Sequence, residues 1–188
     1  MIAAAELPEP VKALAREVFD RIAVAESRAH GVDPAEVHFH EVGAWDSIAD
    51  IIGCSAALHD LGVERLCFGD LAVGSGTITM AHGELAVPGP AVVELSRGIV
   101  VQPGPAATEL ATPTGVAFLA GRTQGPMPAM IVLGSGTGAG TKDFPGHANI
   151  VRVVLGREAE ASTAAAPLTV LECNVDDLDP RLWPGVLD

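Results

Sequence analysis

The sequence predicts an α+β fold, with N-terminal helices packed on a mixed or antiparallel sheet and glycine-rich turns between its strands. Three observations carry this prediction. Apolar residues recur at three- and four-residue steps mainly before Gly62. After Gly62 they fall into short extended pieces separated by glycine-containing turns. Helices come first and strands afterwards, without the strand–helix alternation of a doubly wound sheet.

The first element spans Pro8 to His30. Val11, Leu14, Ala15, Val18, Ile22 and Ala25 form its apolar face, Lys12, Arg16, Glu17 and Asp20 fill the other, and Gly31 ends it. A second helix is expected to start at Asp46 or Ser47, either of which can accept a hydrogen bond from a free first-turn N–H. It runs through Ile48, Ile51, Ile52 and Leu58 to Gly62. Strand-like pieces follow around Leu66, Phe68, Leu71, Val73, Ile78, Leu85 and Val87, separated at Gly69-Asp70, Gly74-Ser75-Gly76 and His82-Gly83. Pro90 to Arg97 reads as a short helix with Gly98 past its end, and Ile99 to Gln102 as a strand. Another short helix is expected from Thr112-Pro113-Thr114 to Ala120. Met130 to Leu133 and Asn149 to Leu155 are β-like, and Gly134 to Asp143 between them reads as a glycine-rich loop.

A chain of 188 residues with 48% apolar content can bury a real core. Eleven basic against twenty-four acidic residues give a net charge of −13, which argues against nucleic acid or an anionic membrane as partner. Cys54, Cys67 and Cys173 are odd in number and lack a C-x-x-C pair, so neither a disulfide framework nor a structural zinc site is signalled. No apolar run reaches the roughly 18 residues of a membrane span and no signal-peptide pattern opens the chain, so a cytoplasmic location is expected. Residues 158–167 are rich in Ala, Glu, Ser and Thr without an apolar period. They read as a linker between a first domain at 1–157 and the beginning of a second at 168–188.

Ligand chemistry is densest from His38 to Gly53. His38 and His40 are two residues apart, so in extended backbone both imidazoles leave the same face. Glu41 adds a carboxylate, and Asp46 and Asp50 are neighbours on one helical face. Imidazole with carboxylate suits nickel, zinc, iron or manganese. The bland account makes Asp46 a helix cap, Asp50 a surface charge and the histidines packing groups. Spacing alone favours that account, because H-x-H without a fixed third ligand is a weak signal. His82 is a candidate further ligand. Gly136, Gly138, Gly140, Thr141 and Lys142 are candidate contacts for a substrate phosphate, since alternate glycines let backbone N–H groups approach an anion and Lys142 can neutralise it. The stretch has neither P-loop nor dinucleotide-binding spacing, and a plain connection between strands explains the glycines equally well.

Taken in order, several motifs resemble those of the LarC family of nickel insertion proteins. They are His38-Phe39-His40-Glu41-Val42-Gly43-Ala44 with Asp46-Ser47-Ile48, Gly74-Ser75-Gly76, Ala81-His82-Gly83, Val87-Pro88, Ala111-Thr112-Pro113-Thr114-Gly115, Gly138-Ala139-Gly140-Thr141 and Asn149-Ile150-Val151-Arg152-Val153. The resemblance covers roughly residues 36 to 178, and its first element is the most specific. It implies a nickel insertase that places nickel into pyridinium-3,5-bisthiocarboxylic acid mononucleotide, forming carbon–nickel and sulfur–nickel bonds. The product is the nickel-pincer nucleotide of lactate racemase, and CTP with manganese or magnesium is consumed or required along the way. His38 and His40 become the first candidates for handling nickel, with Glu41, Asp46 and Asp50 behind them.

Two departures from the family pattern shape the expectation. The chain starts in the helix that follows the family's usual glycine- and serine-rich first element, and it stops soon after Asn174-Val175-Asp176-Asp177, which resembles the opening of the family's C-terminal domain. CTP and the divalent cation belong to that domain, so the expectation is an incomplete or split protein that needs the C-terminal domain, as a separate chain if the gene is split. Oligomers are allowed. Two other classes remain open at this point: a non-catalytic nickel-binding or scaffold fragment, and a metal-dependent hydrolase with Glu41 or Asp46 as base.

Overall fold

The computed structural model describes residues 2–33, 45–80, 83–159 and 168–173. A single 3₁₀ turn at Ile2–Ala4 leads into helix α1, Glu9–His30. Pro10 sits in its first turn, where a missing N–H costs nothing, and Gly31 closes it in the left-handed conformation with φ of 68°. The predicted apolar stripe is the buried one: Val11, Ala15, Val18, Ile22 and Ala25 all face inward. Helix α2, Trp45–Asp60, buries Ile51 and Ser55, and the Ser55 hydroxyl is satisfied by donating to the Ile51 carbonyl at 2.7 Å.

The chain then forms strands β1 (Val63–Phe68), β2 (Leu71–Ala72), β3 (Thr77–Met80) and β4 (Gly83–Ala86), and helix α3 (Pro90–Leu95). Strand β5 (Val101–Gln102), helix α4 (Pro113–Leu119) and strands β6 (Thr123–Gln124), β7 (Met130–Ala139), β8 (Ile150–Glu158) and β9 (Leu168–Cys173) complete it. The main sheet has the order β6-β1-β9-β8-β7. Its first three strands are parallel and its last three antiparallel, so the sheet is mixed, as the predicted α+β class allows. Strand β9 comes from the stretch expected to open a second domain and lies between β1 and β8. Two small sheets, β2 with β5 and β3 with β4, sit beside it.

Helix α1 is the hub, touching α2, α3 and α4, while α2 and α4 also reach β1. The core gathers Val18 and Ile22 of α1, Ile51 of α2, Phe68 of β1, Val92 of α3 and Val116 of α4. A polar latch fastens α1 to α4: Arg21 donates through Nη1 to the Ala117 carbonyl at 2.9 Å and through Nη2 to Glu17 at 2.5 Å.

Three local readings differ from expectation. Gly134 to Ala139, read as a loop, belongs to β7 and pairs antiparallel from Gly134↔Leu155 to Ala139↔Ile150. Glycine and serine have low strand preference, but the Val-rich β8 supplies a partner that the local sequence does not reveal. The strand expected at Ile99 to Gln102 is only Val101–Gln102, and β6 carried no alternation long enough to announce it.

Candidate functional site

Two polar turns converge on Thr108. From one side, Val73 to Ser75 extend β2 and receive the 108–110 segment: Ser75 N–H donates to the Thr108 carbonyl at 3.2 Å, and Leu110 N–H to the Val73 carbonyl at 3.3 Å. Gly74 bridges Glu109 in antiparallel fashion, with φ of 95°. From the other side comes Lys142, whose Nζ donates to the Thr108 hydroxyl at 2.5 Å and stands 5.7 Å from the centre of the Phe144 ring. The Lys142 turn is itself fixed. Asn149 donates through Nδ2 to the Lys142 carbonyl at 2.9 Å, and Gly140 N–H donates to the Asn149 carbonyl at 2.8 Å. A Cβ at position 140 would run into the Asn149 amide, so glycine there permits the close approach.

Of the residues singled out in the sequence, Gly140, Thr141 and Lys142 thus lie on one wall of this cluster, directly after β7. Gly136 and Gly138 lie within β7, the terminal strand of the sheet, where alternate backbone N–H groups point away from β8. Asp46 and Asp50 occupy the first turns of α2 and are exposed. Asp46 does not cap the helix from outside. It is already helical, and its Oδ1 accepts the Ser47 N–H at 2.9 Å. His38, His40, Glu41 and His82 lie outside the described residues. Among the described residues, no group of three or more His, Cys, Asp or Glu side chains is placed to hold a metal ion. No helix among them is long and apolar enough to cross a membrane.

A groove of about 550 Å³ runs along α1 and is lined by Arg16, Arg21, Arg28 and Glu94 among others. None of the candidate residues lines it. Its charges are largely spent on each other: Arg21 and Arg122 share Glu17, and Arg28 and Arg97 share Glu94. Burial lowers the proton affinity of Arg21, with Glu17 acting the other way. The groove is a structural seam, and the polar turns around Thr108 are the better candidate.

Sequence reasoning missed Thr108 and Asn149. The only available signal for Thr108 was indirect, since a glycine at 74 implied that another backbone comes close, without saying which.

A family model described as nickel insertion protein matches residues 1–188. The pyridinium-3,5-bisthiocarboxylic acid mononucleotide nickel insertion protein of a Nocardioides species is 49% identical over 189 residues, covering 100% of this chain and 47% of the relative. Proteins provisionally named for nickel insertion in Geobacter metallireducens and Citrifermentans bemidjiense are 44% and 46% identical, each covering 100% of this chain and 48% and 49% of their own length. The chain therefore spans about half the length of the curated relatives it matches. No solved structure matches it.

Proposed function

Because the chain belongs to the nickel insertion protein family, we propose that it takes part in inserting nickel into pyridinium-3,5-bisthiocarboxylic acid mononucleotide, the substrate named for its Nocardioides relative. The observation that carries this reading is the match of the family along the entire chain at close to half identity with that relative. Nickel is cargo here. His38 and His40, with Glu41, Asp46 and Asp50 behind them and His82 as a further ligand, hold the ion through donors of intermediate hardness. The soft sulfurs of the dithiocarboxylate can then draw it away. Asp46 and Asp50 are exposed on the helix that follows the histidine segment in sequence, which leaves their carboxylates open to solvent.

The substrate's phosphate falls, in this reading, to the turns after β7, with Gly136, Gly138, Gly140, Thr141 and Lys142 as contacts. CTP and the manganese or magnesium implied by the family resemblance belong to the half of the relatives' length that this chain does not span. The product serves a nickel-pincer enzyme such as lactate racemase.

The test is assembly of the cofactor from its separated parts. The purified chain is combined with nickel, the mononucleotide substrate, CTP, manganese and the remaining half of the Nocardioides relative, and the nickel-bound product is read by mass. The expected result is product only when both protein parts are present. Product formed equally well without this chain would refute its role.

A further inference from the structure

We infer that Lys142 and Thr108 form an oxyanion subsite whose ligand is a phosphate monoester. The starting observation is electrostatic. The chain has two lysines among its eleven basic residues, against twenty-four acidic ones. Lys12 is neutralised by Glu9 at 2.7 Å. Lys142 makes no ion pair among the described residues; its partners are a hydroxyl and an aromatic ring. No carboxylate among the described residues therefore occupies its ammonium group, and two of its three donors are still available.

The hydroxyl is equally suited. Thr108 Oγ1 accepts from Lys142, which leaves its own proton to be donated onward, so the pair offers two or more donors to a single tetrahedral anion. Both partners are held before any ligand arrives. The backbone at Thr108 is fixed by Ser75 and by the Gly74–Glu109 bridge, the backbone at Lys142 by Asn149, and the two side chains by their mutual hydrogen bond. Preorganised donors bind without the cost of ordering them. The inference rests on the functional reading above only in assigning the phosphate to a mononucleotide.

The test is titration calorimetry of the purified chain with inorganic phosphate, and with acetate at matched ionic strength, because a lysine and a hydroxyl can also take a carboxylate. Phosphate is expected to bind more tightly than acetate. Its affinity should drop about tenfold or more in Lys142→Met and about threefold in Thr108→Val, and recover in Thr108→Ser. Both side chains lie at or near the surface, and matched thermal unfolding of the variants confirms intact folding. Lys142→Met binding phosphate within about twofold of wild type, acetate matching phosphate, or no phosphate binding by the wild-type chain would each overturn the proposal. Nickel binding in the same variants separates the two ideas: it should be unchanged, and its loss in a His38→Ala/His40→Ala variant should leave phosphate affinity intact.

Discussion

Gly74 stands so close to Thr108 that a Cβ at position 74 would run into the Thr108 carbonyl oxygen, in a backbone whose φ is +95°. The contact fixes the loop that presents the Thr108 hydroxyl to Lys142, so a residue chosen for having no side chain positions one of the few polar pairs joining distant turns.

Replacing Gly74 with alanine should therefore destabilise the chain by about 2–4 kcal/mol, combining an unfavourable φ with a backbone collision. The contrast is Gly53 in α2, where a Cβ meets nothing within 4 Å. There, Gly53→Ala should stabilise by about 0.5–1 kcal/mol through helix preference alone. Urea unfolding of the two variants checks both signs.

Ile22 is completely buried where α1 meets the rest of the core. Ile22→Ala should cost about 2–5 kcal/mol, the range for deleting a large aliphatic side chain from a packed interior. Denaturant midpoints with an unchanged slope would identify the loss as one of packing.

The fold was legible where periodicity met punctuation. Val11 to Ala25 followed by Gly31 gave α1 its face and its end, and Pro90 and Pro113 marked two short helices. Gly134 to Ala139 was not legible, because its strand character comes from pairing with β8 and not from its own residues. At the site, Lys142 was visible as a charge beside glycines, but its partner Thr108 is thirty-four positions away and only folding joins them. The histidine segment lies outside the described residues, and its assignment to nickel rests on its donor types and on family likeness.

Glu94 supplies a pH signature. Arg97, hydrogen-bonded to both of its carboxylate oxygens at 2.7 and 2.8 Å, holds the Glu94 carboxyl below the ordinary range, and Arg28 adds to the effect. A carboxyl whose affinity for protons falls on folding contributes stability above its unfolded pKa of about 4.3 and loses it as acid titrates the folded form. Wild type should be more stable than Glu94→Gln near neutrality, and the difference should vanish below the depressed pKa. Thermal unfolding of both proteins across an acid pH series measures this.

Among the described residues, strand β7 ends the main sheet with ten residues containing neither a charge nor a proline, and Ile131, Val132 and Leu133 are exposed. Natural edges usually carry such residues to block strand pairing between molecules. Light scattering at rising concentration should show association of the wild-type chain, and Val132→Lys should reduce it without lowering the unfolding midpoint by more than about 0.5 kcal/mol equivalent.

We propose that the His38–His40 segment holds nickel for transfer. Its most direct measurement is a nickel titration of the purified chain beside the His38→Ala/His40→Ala variant, with circular dichroism to match their folds. Saturable binding by the wild-type chain is expected, with an affinity loss of about tenfold or more in the double variant, as two imidazole ligands are removed. Equal nickel affinity in the two proteins would contradict it.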